Sequence, residues 1–177
     1  KAKGVIAASA GNHAQGVAYS CMKMGIQGTI VMPKTAPLSK IEATKAYGVK
    51  VELQGDTFND AYEYAKNLQE ITGAVFIEPF NDEDVIAGQG TIGMEIIEKM
   101  PDVDTVIVPI GGGGLISGIA YAIKTLRPHC RIVGVQSEKA ASMKTSLEKQ
   151  KIMTLKEVST IADGIAVKTP GTLTYAL

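Results

Sequence analysis

Six short strand-like segments recur along this 177-residue chain, and stretches with helical spacing of apolar residues separate them. Five are apolar runs, at residues 5–8, 29–32, 74–77, 106–110 and 132–135, and the sixth, at 50–53, alternates polar and apolar residues like a strand. The helical stretches cover residues 12–24, 38–47, 57–71, 82–100 and 115–126. Alternation of this kind is typical of parallel sheets with helices on their faces. The sequence therefore predicts an α/β fold of open, twisted parallel sheets with flanking helices.

Several residues mark the helix ends. Gly25 follows the first helical stretch as a C-terminal cap, and Gly48 stops the second. Thr57 has Asp60 three residues later, which is the spacing of a capping box. These signals predict where helices begin and end, independently of the apolar pattern.

Composition narrows the classes of protein to which this chain could belong. The 18 basic residues balance the 18 acidic ones without a basic block, so we expect neither a nucleic-acid partner nor a membrane-surface partner. No apolar run is long enough to span a membrane, and no signal-peptide pattern opens the chain, so we predict a cytoplasmic protein. Cys21 and Cys130 lack metal or redox spacing and are predicted to be buried thiols.

The helical stretch at 82–100 carries Gly88, Gly90 and Gly93. Each glycine costs a helix about 1 kcal/mol relative to alanine, so close packing or hinge motion is expected to account for them. This stretch is the best candidate for a hinge. We predict a smaller lobe over 1–81 and part of a larger lobe over 82–177.

The sequence PIGGGGLISGIA, at 109–120, joins the apolar run at 106–110 to a helix. Glycines let backbone N–H groups approach an anion, and the start of the helix adds positive partial charge. The cluster lacks the lysine of a triphosphate-binding loop and the acidic partner of a dinucleotide site. The alternative is a flexible link, but four consecutive glycines favour an anion cradle.

A second cluster, ASAGNHAQGVA, follows the first apolar run. Ser9, Gly11, Asn12 and His13 would place a hydroxyl, an amide and free N–H groups at a helix start, which suits a carboxylate. The alternative makes Asn12 an N-cap and His13 an ordinary first-turn residue.

These clusters, with AGQGTIGMEI, GVQSE and TIADGIAV, resemble the pyridoxal-phosphate-dependent threonine dehydratases. That family shares the fold-type-II architecture of serine racemase and the tryptophan synthase β subunit. The resemblance covers essentially the whole chain in register. It implies pyridoxal 5′-phosphate as cofactor, a small amino acid as substrate, and a homo-oligomer, dimer or tetramer, for the full-length protein.

The resemblance also implies roles for individual residues. Asn12 is expected to bond the 3′ oxygen of the cofactor ring, and Gly164 to lie beside the ring. The expected cofactor-phosphate cradle comprises Gly111, Gly112, Gly113, Gly114 and Leu115. The loop expected to hold the substrate α-carboxylate comprises Ser9, Ala10, Gly11, Asn12 and His13.

The implied reaction is deamination of L-threonine to 2-oxobutanoate and ammonia, and of L-serine to pyruvate. The family lysine that forms a Schiff base with the cofactor matches nothing in this chain, and Lys34 is expected to be a solvated loop residue. We therefore expect an internal segment of the enzyme, inactive by itself, with its catalytic lysine upstream.

Two alternatives stay open. A racemase would need a hydroxyl at the position of Ala10, because a methyl group cannot exchange a proton. The racemase metal site would place carboxylates at Gln136 and near Ser142, so we expect no metal site. A non-catalytic α/β anion-binding module is the other alternative.

Overall fold

The structure, a computed structural model, describes residues 3–177. The chain forms two compact units, one ending at Pro79 and the other beginning at Phe80. In both units the paired strands are parallel, and helices connect and cover them. The predicted fold class is confirmed.

The first unit contains a four-stranded sheet in the order β3-β2-β1-β4. Its strands are β1 Val5–Ala8, β2 Gly28–Met32, β3 Lys50–Leu53 and β4 Val75–Phe76. Its helices are α1 Asn12–Met24, α2 Leu38–Lys45 and α3 Phe58–Thr72. The predicted Gly25 cap is confirmed, since this residue closes α1 in the left-handed conformation. Thr57 and Asp60 form the predicted capping box before α3.

Successive residues of β1 alternate between two apolar cores, because side chains along a strand point to opposite faces. Ala7 belongs to the core that includes residues of α1 and α2. Ile6 and Ala8 belong to the core that includes residues of α3. The sheet is therefore covered on both faces, as parallel sheets usually are.

The second unit is built around two parallel strands, β5 Thr105–Pro109 and β6 Arg131–Val135. Its helices are α4 Glu83–Lys99, α5 Gly114–Leu126, α6 Ser142–Lys149 and α7 Thr172–Ala176. Two 3-10 turns cover Glu138–Ala140 and Asp163–Ile165. The apolar core of this unit combines Val106 and Val108 of β5 with Ile119 and Ile123 of α5.

Helices α4 and α5 approach each other through glycines. A Cβ on Gly90 would lie 3.2 Å from the Gly118 carbonyl oxygen, and one on Gly93 would lie 3.0 Å from that of Ile119. A Cβ on Gly118 would overlap the α4 backbone at Ile86. Close packing therefore accounts for Gly90 and Gly93.

Gly88 behaves differently from its two neighbours on α4. It is exposed, and no atom of the described residues lies within 4 Å of where its Cβ would be. The hinge assigned to this helix, and the lobes 1–81 and 82–177, stay predictions.

The predicted strands and helices all occur, with shifted ends. Helix α2 ends at Lys45, two residues earlier than predicted, because the chain turns before Gly48. Strand β4 is limited to two residues. Cys21 and Cys130 are free and buried, as predicted. Among residues 3–177, no helix is long and apolar enough to cross a membrane.

We expect Gly118→Ala and Gly88→Ala to change stability in opposite directions. The first adds a methyl group against the α4 backbone and should lower the free energy of unfolding by about 1–3 kcal/mol. The second replaces glycine by a better helix former where the added methyl group meets no other atom, so it should raise the free energy of unfolding by up to about 1 kcal/mol. Urea unfolding of both variants checks this, and equal effects would contradict the packing explanation.

Candidate functional site

The start of α5 presents a row of unpaired backbone donors. The first backbone hydrogen bond of this helix runs from the Ser117 N–H to the Gly113 carbonyl, at 3.0 Å. Within residues 3–177, the N–H groups from Gly111 to Ile116 have no acceptor. Gly113 precedes the helix with a φ of +103°, a conformation that favours glycine. The row of N–H groups at 111–116 is called the cradle below.

Packing leaves no room for side chains at the cradle glycines. A Cβ on Gly112 would overlap the Phe80 ring, and one on Gly114 would lie 2.9 Å from the Phe80 Cα. Gly112, Gly113 and Gly114 are themselves buried. Buried N–H groups without acceptors are costly, so this arrangement fits an anion carried by a ligand.

Gly164 and Leu115 both lie at the cradle. Gly164 sits in the 3-10 turn Asp163–Ile165, and its carbonyl oxygen is 3.6 Å from where a Cβ on Gly111 would be. Leu115 contributes one cradle N–H, while its side chain packs against the core of the second unit. The structure thus brings Gly111–Gly114, Leu115 and Gly164 together.

In the first unit, residues 9–14 form a similar helix start. The Ser9 hydroxyl oxygen accepts a hydrogen bond from the Gly11 N–H at 3.1 Å, so its own O–H remains available to a ligand. Gly11 is the N-cap of α1 and offers no side-chain cap. In the described part of the chain, the N–H groups of Asn12, His13 and Ala14 have no acceptor.

The alternative that made Asn12 an N-cap is wrong. Asn12 is the first residue of α1, and its exposed amide makes no hydrogen bond with the described residues. The amide is therefore free to meet a ligand. Ala10, beside it, packs partly against the core shared with α1.

The His13 side chain forms a hydrogen bond within the first unit. Its Nε2 donates to the Ile77 carbonyl, just after β4, at 3.0 Å. Burial lowers the pKa of His13, and it outweighs this hydrogen bond and the nearby Glu78 charge, which both raise the pKa. A carbonyl only accepts, so Nε2 carries a hydrogen, and the lowered pKa favours the neutral ring. The Nδ1 atom of a neutral ring can only accept, so the backbone N–H is the donor that His13 has left for an anionic ligand.

Three polar groups that the sequence did not single out support the cradle. The Thr174 hydroxyl donates to the Gly112 carbonyl at 2.6 Å, and the Gly171 N–H donates to the same oxygen at 3.1 Å. The Asn81 amide binds the first residues of α7. No local signal marks these residues, because 62 positions separate Thr174 from Gly112.

The resemblance to racemases would place metal-binding carboxylates at Gln136 and near Ser142, and in this fold both side chains are at least partly buried. The Gln136 amide donates to the Ile110 and Ala140 carbonyls at 3.3 and 3.2 Å, and it accepts from the Lys144 N–H. Ser142 is fully buried. The part of the chain described contains no group of three His, Cys, Asp or Glu side chains that could hold a metal.

Lys34 lies in the loop after β2, and its side chain is exposed. The prediction that it is a solvated loop residue is confirmed.

Comparison with known proteins identifies the family. A family model described as "Pyridoxal-phosphate dependent enzyme" matches residues 1–177. The chain belongs to this family of pyridoxal-phosphate dependent enzymes. The unpaired donors of the cradle fit the phosphate of that cofactor, because each N–H can donate to a phosphate oxygen.

Individual relatives agree with the family assignment. The chain is 57% identical over 175 residues to L-threonine ammonia-lyase of Thermotoga maritima, covering 99% of this chain and 44% of that protein. It superposes with a TM-score of 0.94 on processed threonine deaminase isoform 2 of Solanum lycopersicum, at 48% identity, covering 98% of this chain and 48% of that one.

Maize serine racemase also gives a TM-score of 0.94, at 42% identity, covering 99% of this chain and 53% of that one. The chain spans about half the length of the relatives it matches. These neighbours confirm the predicted fold-type-II architecture.

We expect His13 to make stability depend on pH. The folded chain resists protonation of this ring more than the unfolded chain does, since burial lowers its pKa below the usual 6.5. Its contribution is complete above pH 6.5 and is lost as the pH falls through the pKa of the folded state. His13→Gln keeps an amide donor for the Ile77 carbonyl and does not titrate.

Urea unfolding of both proteins at several pH values measures this effect. The wild type should lose more stability than His13→Gln as the pH falls below 6.5. Parallel stability curves would contradict a buried neutral His13.

Proposed function

We propose that the full-length protein containing this chain is a threonine ammonia-lyase. It converts L-threonine to 2-oxobutanoate and ammonia, and L-serine to pyruvate and ammonia. The observation that carries this proposal is the cradle of unpaired N–H groups at 111–116, in a chain 57% identical to a threonine ammonia-lyase. The activity is proposed for the full-length protein, because no lysine among residues 1–177 resembles the family lysine.

The cradle is proposed to bind the cofactor phosphate. N–H groups over Gly111–Gly114 and Leu115 donate to phosphate oxygens, and the start of α5 adds favourable partial charge. Gly164 is proposed to lie beside the cofactor ring, and the Asn12 amide to donate to the 3′ oxygen of the ring. When bound, pyridoxal phosphate supplies an electron sink that stabilises charge on the substrate α-carbon.

The start of α1 is proposed to hold the substrate carboxylate. The O–H of Ser9 and the N–H groups of Asn12 and His13 are available donors, and the helix dipole favours an anion there. Because the His13 ring is neutral and bonded to Ile77, the carboxylate meets backbone donors and not a charged imidazole. This arrangement orients the amino acid without providing a proton donor at the ring of His13.

Ala10 favours elimination over racemisation. A racemase needs a second group that can give or take a proton at the α-carbon. The methyl group of Ala10 can do neither. We therefore propose deamination as the main reaction, although a serine racemase is among the structures that the chain resembles.

The family resemblance and the two thiols support a proposal for the compartment and the assembly of the enzyme. We propose a cytoplasmic homo-oligomer, a dimer or a tetramer, that acts on a small amino acid. The free, buried Cys21 and Cys130 suit a reducing compartment.

The proposed activity predicts keto-acid release by the full-length protein. L-threonine should give 2-oxobutanoate and L-serine should give pyruvate, each with one ammonia, measured by chromatography of the products. Conversion of L-serine to D-serine without release of a keto acid would show that the protein is a racemase. Binding of cofactor without either reaction would support a non-catalytic module.

Asn12→Ala tests the proposed contact with the cofactor ring. The variant loses one hydrogen bond, so the affinities for pyridoxal phosphate and for pyridoxal should both fall about 2- to 10-fold. The ratio of the two affinities should not change, because the cradle is intact. The absorbance of bound cofactor should shift, since the 3′ oxygen loses a donor.

Asn67→Ala is the matched control, because Asn67 is an exposed residue of α3. It should bind both compounds as the wild type does. An unchanged affinity and spectrum in Asn12→Ala would contradict the role given to Asn12.

A further inference from the structure

The Gly112 carbonyl is held by two donors from a distant part of the chain. Thr174 Oγ1 lies 2.6 Å from this oxygen, and the Gly171 N lies 3.1 Å from it. Both donors belong to residues 171–174, at the start of α7. A carbonyl oxygen has two lone pairs, so these two bonds complete its hydrogen bonding.

Fixing this carbonyl also fixes a cradle donor. The peptide between Gly112 and Gly113 is planar and trans, so its C=O and N–H point in opposite directions. The Gly113 N–H therefore points away from Thr174 and Gly171. Two adjoining glycines would otherwise let this peptide rotate, since neither has a Cβ to restrict φ and ψ.

Thr174 is itself held in place. Its side chain is buried, at 5% exposure, and a Cβ on Gly113 would lie 2.7 Å from the Thr174 Cβ. Its hydroxyl has one proton, and the Gly171 carbonyl is the alternative acceptor at 3.2 Å. The Gly112 carbonyl oxygen is closer to Thr174 Oγ1, at 2.6 Å, so the Thr174 proton is assigned to Gly112.

Asn81 fixes the segment that carries Thr174. Its Oδ1 accepts from the Leu173 N–H at 2.8 Å, and its Nδ2 donates to Thr172 Oγ1 at 3.1 Å. The short helix α7 is thus tied to the residue that precedes the N-cap of α4. Residues 171–174 can then act as a fixed support for the cradle.

We propose that Thr174 is a positioning residue that orients the Gly113 N–H toward the cofactor phosphate. Its hydroxyl holds the Gly112 carbonyl on the far side of the peptide, which presents the N–H to the ligand. The inference rests on the proposed function, because it takes the cradle ligand to be the phosphate of pyridoxal phosphate. Thr174 acts through the backbone of the cradle and does not touch the reacting atoms.

The test compares two ligands in the full-length protein. Pyridoxal 5′-phosphate and pyridoxal differ only in the phosphate, so the ratio of their affinities measures the cradle. Thr174→Val replaces the hydroxyl by a methyl group of similar size. It should bind pyridoxal phosphate about tenfold more weakly and pyridoxal within about twofold of the wild type.

Two further variants isolate the hydroxyl. Thr174→Ser keeps the donor and should restore the affinity for pyridoxal phosphate to within about twofold of the wild type. Thr169→Val removes a hydroxyl that donates only to Thr154 Oγ1, at 2.9 Å, and should change neither affinity. Asn81→Ala loosens α7 and leaves Thr174 intact, so it should lower the affinity ratio by a smaller factor.

Each outcome supports or overturns the inference. It is overturned if Thr174→Val keeps the wild-type ratio, if it loses affinity for both ligands equally, or if Thr174→Ser fails as Thr174→Val does. If Thr174→Val does not fold, an unchanged ratio in Asn81→Ala overturns it. A preference for the phosphate that depends on the Thr174 hydroxyl supports the inference even if the protein does not deaminate threonine. Deamination of threonine with an unchanged affinity ratio in Thr174→Val supports the proposed function alone.

Discussion

The unpaired N–H groups at the start of α5 are the constraint on which the second unit depends. The first N–H groups of every α-helix have no acceptor inside the helix, and in exposed helices they form hydrogen bonds with water. Here Gly112, Gly113 and Gly114, which carry three of these donors, are buried, so an unliganded cradle is costly. An anion would lower this cost, so the proposed phosphate binding would also stabilise this unit.

Glycine serves two different purposes in the second unit. At Gly90, Gly93 and Gly118 it lets α4 and α5 approach until backbone lies against backbone. At Gly112 and Gly114 it makes room for Phe80, which closes one side of the cradle. Because α5 both packs on α4 and begins at the cradle, the helix packing determines where the cradle donors lie.

In both units, most of the groups proposed to bind ligand are backbone N–H groups, and other side chains hold that backbone in place. The Ser9 hydroxyl and the Asn12 amide are the side-chain exceptions. The His13 ring donates a hydrogen bond to the Ile77 carbonyl, and the Thr174 hydroxyl donates one to the Gly112 carbonyl. Backbone donors cannot change rotamer, so a helix start held in this way is preorganised for an anion. Substitutions at such side chains should alter binding without removing a direct contact.

The sequence by itself determined the order of strands and helices, the helix caps and the two glycine-rich turns. These features depend on neighbours within a few residues: Gly25 closes α1, Thr57 and Asp60 open α3, and the apolar runs give the strands. The motifs from Ser9 to His13 and from Gly111 to Gly114 were likewise local. Only the tertiary structure decided that Gly11 and not Asn12 caps α1, that the His13 ring is bonded to Ile77, and that Thr174 supports Gly112. The last two depend on groups that lie 64 and 62 positions apart in the sequence and that only the fold brings together, and a local pattern contains no record of such contacts.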